Sequence, residues 1–149
     1  AMSLPRRLWI EGDKLYSYPV EELDHVESPK EHYANIFTID DGRGHLHIDL
    51  TEEPSGFIVL ADSETGRILA DVYNDRIIIT TDGEKCSVEA HIKELDIYLD
   101  NSLLEIFINH GMYAFTRRYE RYETSYEINA KFNIGCRAIF YKIDLNCSK

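Results

Sequence analysis

At 149 residues with 44% hydrophobic content, the chain is the length of one domain and can bury a core without disulfide or metal staples. Its 27 acidic against 16 basic residues leave a net charge of −11, which repels phosphate backbones and anionic lipid and so disfavours nucleic-acid and membrane partners. The three cysteines, Cys86, Cys136 and Cys147, contain no Cys-x-x-Cys pair, which argues against a zinc knuckle or a dithiol redox motif.

Those thiols are expected to be two buried and one near the tail, in a reducing cytoplasm. No apolar run approaches the ~18–20 residues of a membrane span, and no signal-peptide pattern precedes the fold, so a cytoplasmic location is expected. The Ala1-Met2 start reads as a cloning remnant, which makes the chain a candidate piece of a larger protein.

In chain order, Leu8–Ile10 and Leu15–Tyr18 flank the turn composition Glu11-Gly12-Asp13-Lys14 and predict a hairpin. Pro19 opens a stretch in which Val20, Leu23 and Val26 recur at about helical spacing, with Glu21 and Glu22 suited to a helix N-terminus. A short linker helix is expected there, ended by Ser28-Pro29. From Tyr33 onward the pattern is strand after strand. His45–Leu50 alternates, with Leu46, Ile48 and Leu50 on one face and His45, His47 and Asp49 on the other. Ile77-Ile78-Ile79 is apolar on both faces, as in a strand interior to a sandwich.

The strongest hairpin is Leu103–Arg118, where Leu103–Ile108 and Tyr113–Thr116 flank Asn109-His110-Gly111, a turn with glycine where positive φ is needed. Strands recurring every ~8–12 residues with turn signals between them predict an all-β antiparallel sandwich of two packed sheets.

Candidate chemistry is thin. His45 and His47 share a strand face with Asp49, a spacing that can place two imidazoles on one metal. The third ligand would come from a neighbouring strand that the sequence does not identify, so a solvated polar face is the expectation. Carboxylates are many: Asp40-Asp41, Asp49, Glu52-Glu53, Glu89, Asp96, Asp100 and Glu105. A glycosidase needs two of them facing each other ~5–5.5 Å or ~6.5–9.5 Å apart. Glu105 stands out, set between Leu104 and Ile106, and is expected on an outer sheet face paired with Arg117 or Arg118. Trp9 and the tyrosines offer sugar-stacking faces, and Tyr119, Tyr122 and Tyr126 interleave with Arg117, Arg118 and Arg121. There is no Gly-x-Ser-x-Gly elbow and no phosphate-binding glycine loop.

Two stretches carry a resemblance. Met2-Ser3-Leu4-Pro5-Arg6-Arg7-Leu8, then Gly12-Asp13-Lys14-Leu15 and Tyr18-Pro19-Val20-Glu21-Glu22-Leu23, resembles the segment by which glycoside hydrolase family 32 enzymes leave their catalytic propeller. Leu104-Glu105-Ile106-Phe107-Ile108-Asn109-x-Gly111, then Phe115-Thr116-x-Arg118, resembles that family's hairpin, commonly Val-Glu-Ile-Phe-Val-Asn-Asp-Gly-Glu followed by Phe-Thr-x-Arg. His110 and Met112 depart from that pattern. The family comprises β-fructosidases: invertases, levanases, inulinases and sucrose-6-phosphate hydrolases, the last being the branch most alike.

The resemblance implies a fold of two six-stranded sheets, an accessory role beside a five-bladed catalytic propeller, and no catalytic, cofactor-binding or metal residues in this chain. The family's Asn-Asp-Pro-Asn-Gly, Arg-Asp-Pro and Glu-Cys motifs do not occur here: there is no Asp-Pro dipeptide, and no cysteine follows glutamate. By the same resemblance, residues 1–28 end the propeller and link it to a sandwich over 29–149. The implied partners are the chain's own propeller and, through it, sucrose, sucrose 6-phosphate or fructan. An apolar face near Leu4–Val20, left uncovered, is expected to drive homo-oligomerisation. The alternative is a carbohydrate-binding, lectin-like module.

Overall fold

The computed structural model describes residues 3–31, 36–40, 43–50, 56–61, 67–81, 83–100, 103–118, 125–132 and 137–143. The amino-terminal hairpin forms as β1 (Arg6–Glu11) and β2 (Lys14–Pro19), reversing at Gly12 with φ 63°. Glu21–Val26 is a 3-10 helix, and its 20-23-26 apolar spacing matches three residues per turn better than 3.6.

The remaining strands are β3 (Glu27–Glu31), β4 (Ile36–Asp40), β5 (Arg43–Asp49), β6 (Gly56–Ala61), β7 (Arg67–Val72), β8 (Arg76–Thr81), β9 (Glu84–Glu89), β10 (Glu94–Asp100), β11 (Leu103–Ile108), β12 (Tyr113–Arg118), β13 (Ser125–Phe132) and β14 (Arg137–Ile143). Among the described residues they pair antiparallel throughout, as the β1-β2 ribbon and two six-stranded sheets ordered β12-β11-β10-β5-β14-β3 and β4-β13-β6-β7-β8-β9. No helix among the described residues is long and apolar enough to cross a membrane.

One core joins the two sheets. Leu46 and Ile48 of β5, Leu95, Ile97 and Leu99 of β10, and Leu104, Ile106 and Ile108 of β11 face Ala70, Val72, Ile77 and Ile79 of the second sheet. Period-two alternation puts these residues on one face, and burying them removes that face from water. Strand β11 is buried on both faces, because the ribbon covers the side opposite the core. The expectation for the thiols fails at Cys86, which is exposed on β9; Cys136 and Cys147 lie outside the described residues. Strand β9 is the edge of its sheet, so its outward positions meet solvent rather than a second layer.

Replacing Ile97 by Ala should lower the unfolding free energy by about 2–5 kcal/mol, since the cavity opens in the middle of the shared core. Cys86→Ser should stay within about 0.5 kcal/mol, and urea titrations of both variants check the contrast.

Candidate functional site

The polar face of β5 is not solvated. Antiparallel register sets Asp96 of β10 opposite His47 and Tyr98 opposite His45, so the outward residues of the two strands share one surface. Strand β11 adds Glu105 beside Tyr98 and Phe107 beside Asp96. The ribbon lies over this surface, which is why His45, Asp96 and Glu105 are 6%, 1% and 1% exposed.

Charges taken out of water in this way must find partners. Asp96 Oδ1 accepts hydrogen bonds from His45 Nε2 at 2.8 Å and His47 Nδ1 at 2.7 Å, and Tyr18 Oη of the ribbon donates to Oδ2 at 2.8 Å. A carboxylate has no proton to give, so both imidazole nitrogens are donors here. Burial pushes the Asp96 carboxyl upward, but the hydrogen bonds and charges of His45 and His47 outweigh it and hold the group well below the usual carboxylate range. The hydrogen bond to Asp96 raises His47 above the ordinary imidazole value, against burial and with help from the charges of Asp96 and Glu94. Burial, then the Asp96 charge, drives the Tyr18 phenol far upward, so it stays a donor. The His45 ring is stacked against Tyr98 at 4.0 Å and Tyr141 at 5.1 Å between centroids.

Glu105 is the second buried anion. It pairs with Arg6 and accepts from the Leu4 backbone N–H at 2.8 Å and Thr116 Oγ1 at 3.2 Å. The Arg6 guanidinium also lies 5.0 Å from the centre of the Phe107 ring. Glu105 is therefore not an outward charge paired across its own hairpin; Arg117 Nη1 instead reaches Glu84 at 3.2 Å. The ion pair forms between Glu105 and a residue 99 positions away, because the covering ribbon brings Arg6 onto that face.

The hairpin turn locks the ribbon from the other side. Asn109, His110 and Gly111 all have positive φ, 50°, 54° and 82°, a conformation asparagine and glycine tolerate best. Ser17 N–H donates to the Gly111 carbonyl at 2.9 Å, and a Cβ on Gly111 would fall on the Ser17 carbonyl. Asn109 braces the preceding loop, accepting from Lys93 N–H at 2.8 Å and donating from Nδ2 to the His91 carbonyl at 2.7 Å. His110 is tilted against Tyr18, 4.1 Å between ring centres, and against Trp9, which stacks on Tyr16 at 5.2 Å.

Of the residues singled out in sequence, His45, His47, Asp96 and Glu105 come to one covered face. Asp49 stays at the end of β5, and Asp100 pairs with Arg43 at 3.3 Å. Asp96 and Glu105 are each engaged by their own partners rather than by each other. The cleft beside the ribbon, about 570 Å³, is walled by Arg7, Trp9, Glu11, Tyr18, Tyr98 and His110 among others. Asp41, Glu52, Glu53, Tyr119, Arg121 and Tyr122 lie outside the described residues, as does the side chain of Tyr126. Arg6 and Tyr18 were missed as site residues. Alternation in β10, with Asp96 and Tyr98 between Leu95, Ile97 and Leu99, held part of the signal, whereas the pairing of β10 with β5 held the rest.

No family model matches the chain. Among known proteins it is 28% identical over 116 residues to a sucrose-6-phosphate hydrolase of Lactococcus lactis subsp. lactis, covering 74% of this chain and 24% of the relative. It is 30% identical over 132 residues to the sucrose-6-phosphate hydrolase of Streptococcus mutans, covering 79% and 28%. Among solved structures, a glycoside hydrolase family 32 protein from Bifidobacterium adolescentis superimposes with a TM-score of 0.79 at 16% identity, covering 95% of this chain and 25% of that one. The sucrose-6-phosphate hydrolase of Lactobacillus gasseri gives 0.76 at 20% identity, covering 93% and 33%. The chain thus spans about a quarter of the length of the curated relatives it matches.

Arg6→Met should cost about 3 kcal/mol, because it strands the Glu105 carboxylate in a buried site. Gly111→Ala should loosen the ribbon specifically. Trp9, the single tryptophan, reports this: its fluorescence should shift toward the solvated value at a lower urea concentration than the far-UV signal of the sheets.

Proposed function

The chain belongs to glycoside hydrolase family 32 as its C-terminal β-sandwich, and on that premise we propose that it is the accessory domain of a β-fructofuranosidase, most like a sucrose-6-phosphate hydrolase. Its work is structural, holding the flank of a catalytic propeller that lies in the remaining length of the protein. Residues 1–28 form the segment leading in from that propeller and 29–149 the sandwich. The longer protein would cleave sucrose, sucrose 6-phosphate or a fructan by the retaining two-carboxylate route. A cytoplasmic setting suits the exposed free thiol of Cys86.

The observation that carries this reading is the two-sidedness of the ribbon. Its Trp9-Tyr16-Tyr18 side, together with Arg6, is fastened to the sandwich. Leu8, Ile10 and Leu15 point away and are 63%, 74% and 61% exposed, three of the four large hydrophobic residues so exposed among the described residues. A stripe of this kind on an otherwise charged surface is a contact waiting for a partner. A ribbon continuous with the preceding chain is the natural place for the propeller to rest.

A carbohydrate-binding role is the second reading, favoured by the cleft where Trp9, Tyr18 and Tyr98 meet Arg7 and Glu11. Calorimetric titration with inulin and sucrose separates the two: saturable heat supports binding, and a flat trace leaves the supporting role.

Purified chain incubated with sucrose, sucrose 6-phosphate and inulin should release no fructose, and clear turnover would overturn the accessory assignment. In sedimentation velocity the isolated chain should self-associate with rising concentration through the uncovered stripe. Leu8→Lys with Ile10→Lys should return it to monomer.

A further inference from the structure

We propose that His45, His47 and Asp96 form a binding site for one divalent transition-metal ion of the zinc and cobalt class, bridging β5 and β10 beneath the ribbon. The inference rests on side-chain geometry within this chain and is independent of the accessory role. His45 and His47 are two apart on a strand, so their imidazoles leave the same face. The third donor comes from the position paired with His47 on the neighbouring strand. One donor atom from each residue lies within 4.8 Å of the others.

The donor set is right for such an ion. Two imidazoles and one carboxylate, with water completing the shell, is a recurrent borderline-soft site and a poor one for calcium or magnesium. Asp96 Oδ1 now stands 2.8 and 2.7 Å from the two ring nitrogens. Tetrahedral coordination with bonds of about 2.0–2.1 Å separates ligand atoms by roughly 3.3 Å. Asp96 Oδ1 need part from each ring nitrogen by only about half an ångström, and the two nitrogens, within 4.8 Å of each other, close toward the same spacing. In the metal-free state the two imidazole protons fill the role of the cation, binding both nitrogens to one carboxylate oxygen. An ion takes their place when each ring carries its N–H on the nitrogen turned away from Asp96, which leaves the facing nitrogen's lone pair free to coordinate.

The surroundings orient the ligands as outer-shell partners do. Tyr18 Oη fixes the far oxygen of Asp96 at 2.8 Å, and Tyr98 and Tyr141 hold the plane of the His45 ring. The His47 side chain is 28% exposed against 8% and 1% for His45 and Asp96, so it supplies both the access path and the open side where water completes the shell.

Titrating zinc chloride into the metal-stripped 149-residue chain at pH 7.5, followed by calorimetry, should give one saturable equivalent. Cobalt(II) should give the intense visible absorption of a four-coordinate site. A folded His47→Ala variant should bind at least about tenfold more weakly, and Tyr18→Phe should weaken binding by about tenfold through the carboxylate it orients. His91→Ala, at an exposed imidazole outside the cluster, should leave affinity unchanged. His47→Gln serves should the alanine variant fail to fold, with far-UV circular dichroism as the check. No saturable binding by the unsubstituted chain, weak binding of many equivalents over its acidic surface, or equal affinity in a folded His47 variant would each overturn the site.

Discussion

The seating of the ribbon on the outer face of the first sheet is the constraint on which the rest depends. That face holds two carboxylates, Asp96 and Glu105, which cannot stay ionised in a dry layer without close partners. Arg6 and Tyr18 supply those partners from the ribbon, while His45, His47 and Thr116 supply them from the sheet. Remove the ribbon and both anions return to water. Keep it, and the polar groups specify one seating, since Tyr18 is held to Asp96 and Arg6 to Glu105 and Thr116. An apolar face would have held the ribbon less selectively, because hydrophobic contact has little directional preference.

That seating also explains why β11 tolerates no simple face assignment. Its residues at 104, 106 and 108 enter the shared core, while 103, 105 and 107 meet the ribbon side, so every position is buried. The chain thus has three layers at this point: second sheet, first sheet and ribbon. Phe107 sits at their junction, its ring edge-on to Tyr18 and Tyr98 and under the Arg6 guanidinium. The hairpin that carries the family likeness is therefore also the place where the amino-terminal ribbon is received. Glu105 within it acts as a docking anion, Asn109 as a brace for the preceding loop, and Gly111 as the close approach that lets β2 in.

The two faces of the ribbon divide its work. One is consumed by polar and aromatic contacts to the sandwich. The other presents Leu8, Ile10 and Leu15 outward, where a surface of net charge −11 would ordinarily carry ions. The ribbon thus has one side committed to the sandwich and one apolar side turned to solvent. Stiffness there comes from the buried ion pair and the glycine contact rather than from the ribbon itself, since a lone two-stranded hairpin is marginal in water.

Period-two alternation and turn chemistry made the strands, the first hairpin and the Asn109-Gly111 reversal legible, because both signals are local to a few residues. The order of residues in two stretches, Met2–Leu23 and Leu104–Arg118, was enough to indicate the family. Local signal failed wherever a residue's surroundings depend on which strands become neighbours. It set His45 and His47 on a solvated face and Glu105 against Arg117 or Arg118, since the sequence shows alternation but not what covers each side. Tertiary structure alone placed Asp96 against imidazoles 51 and 49 positions away and Arg6 against Glu105. The reason is physical: a strand's pattern determines which residues share a face, whereas the partner that desolvates that face is chosen by long-range pairing and by the charges left to be neutralised.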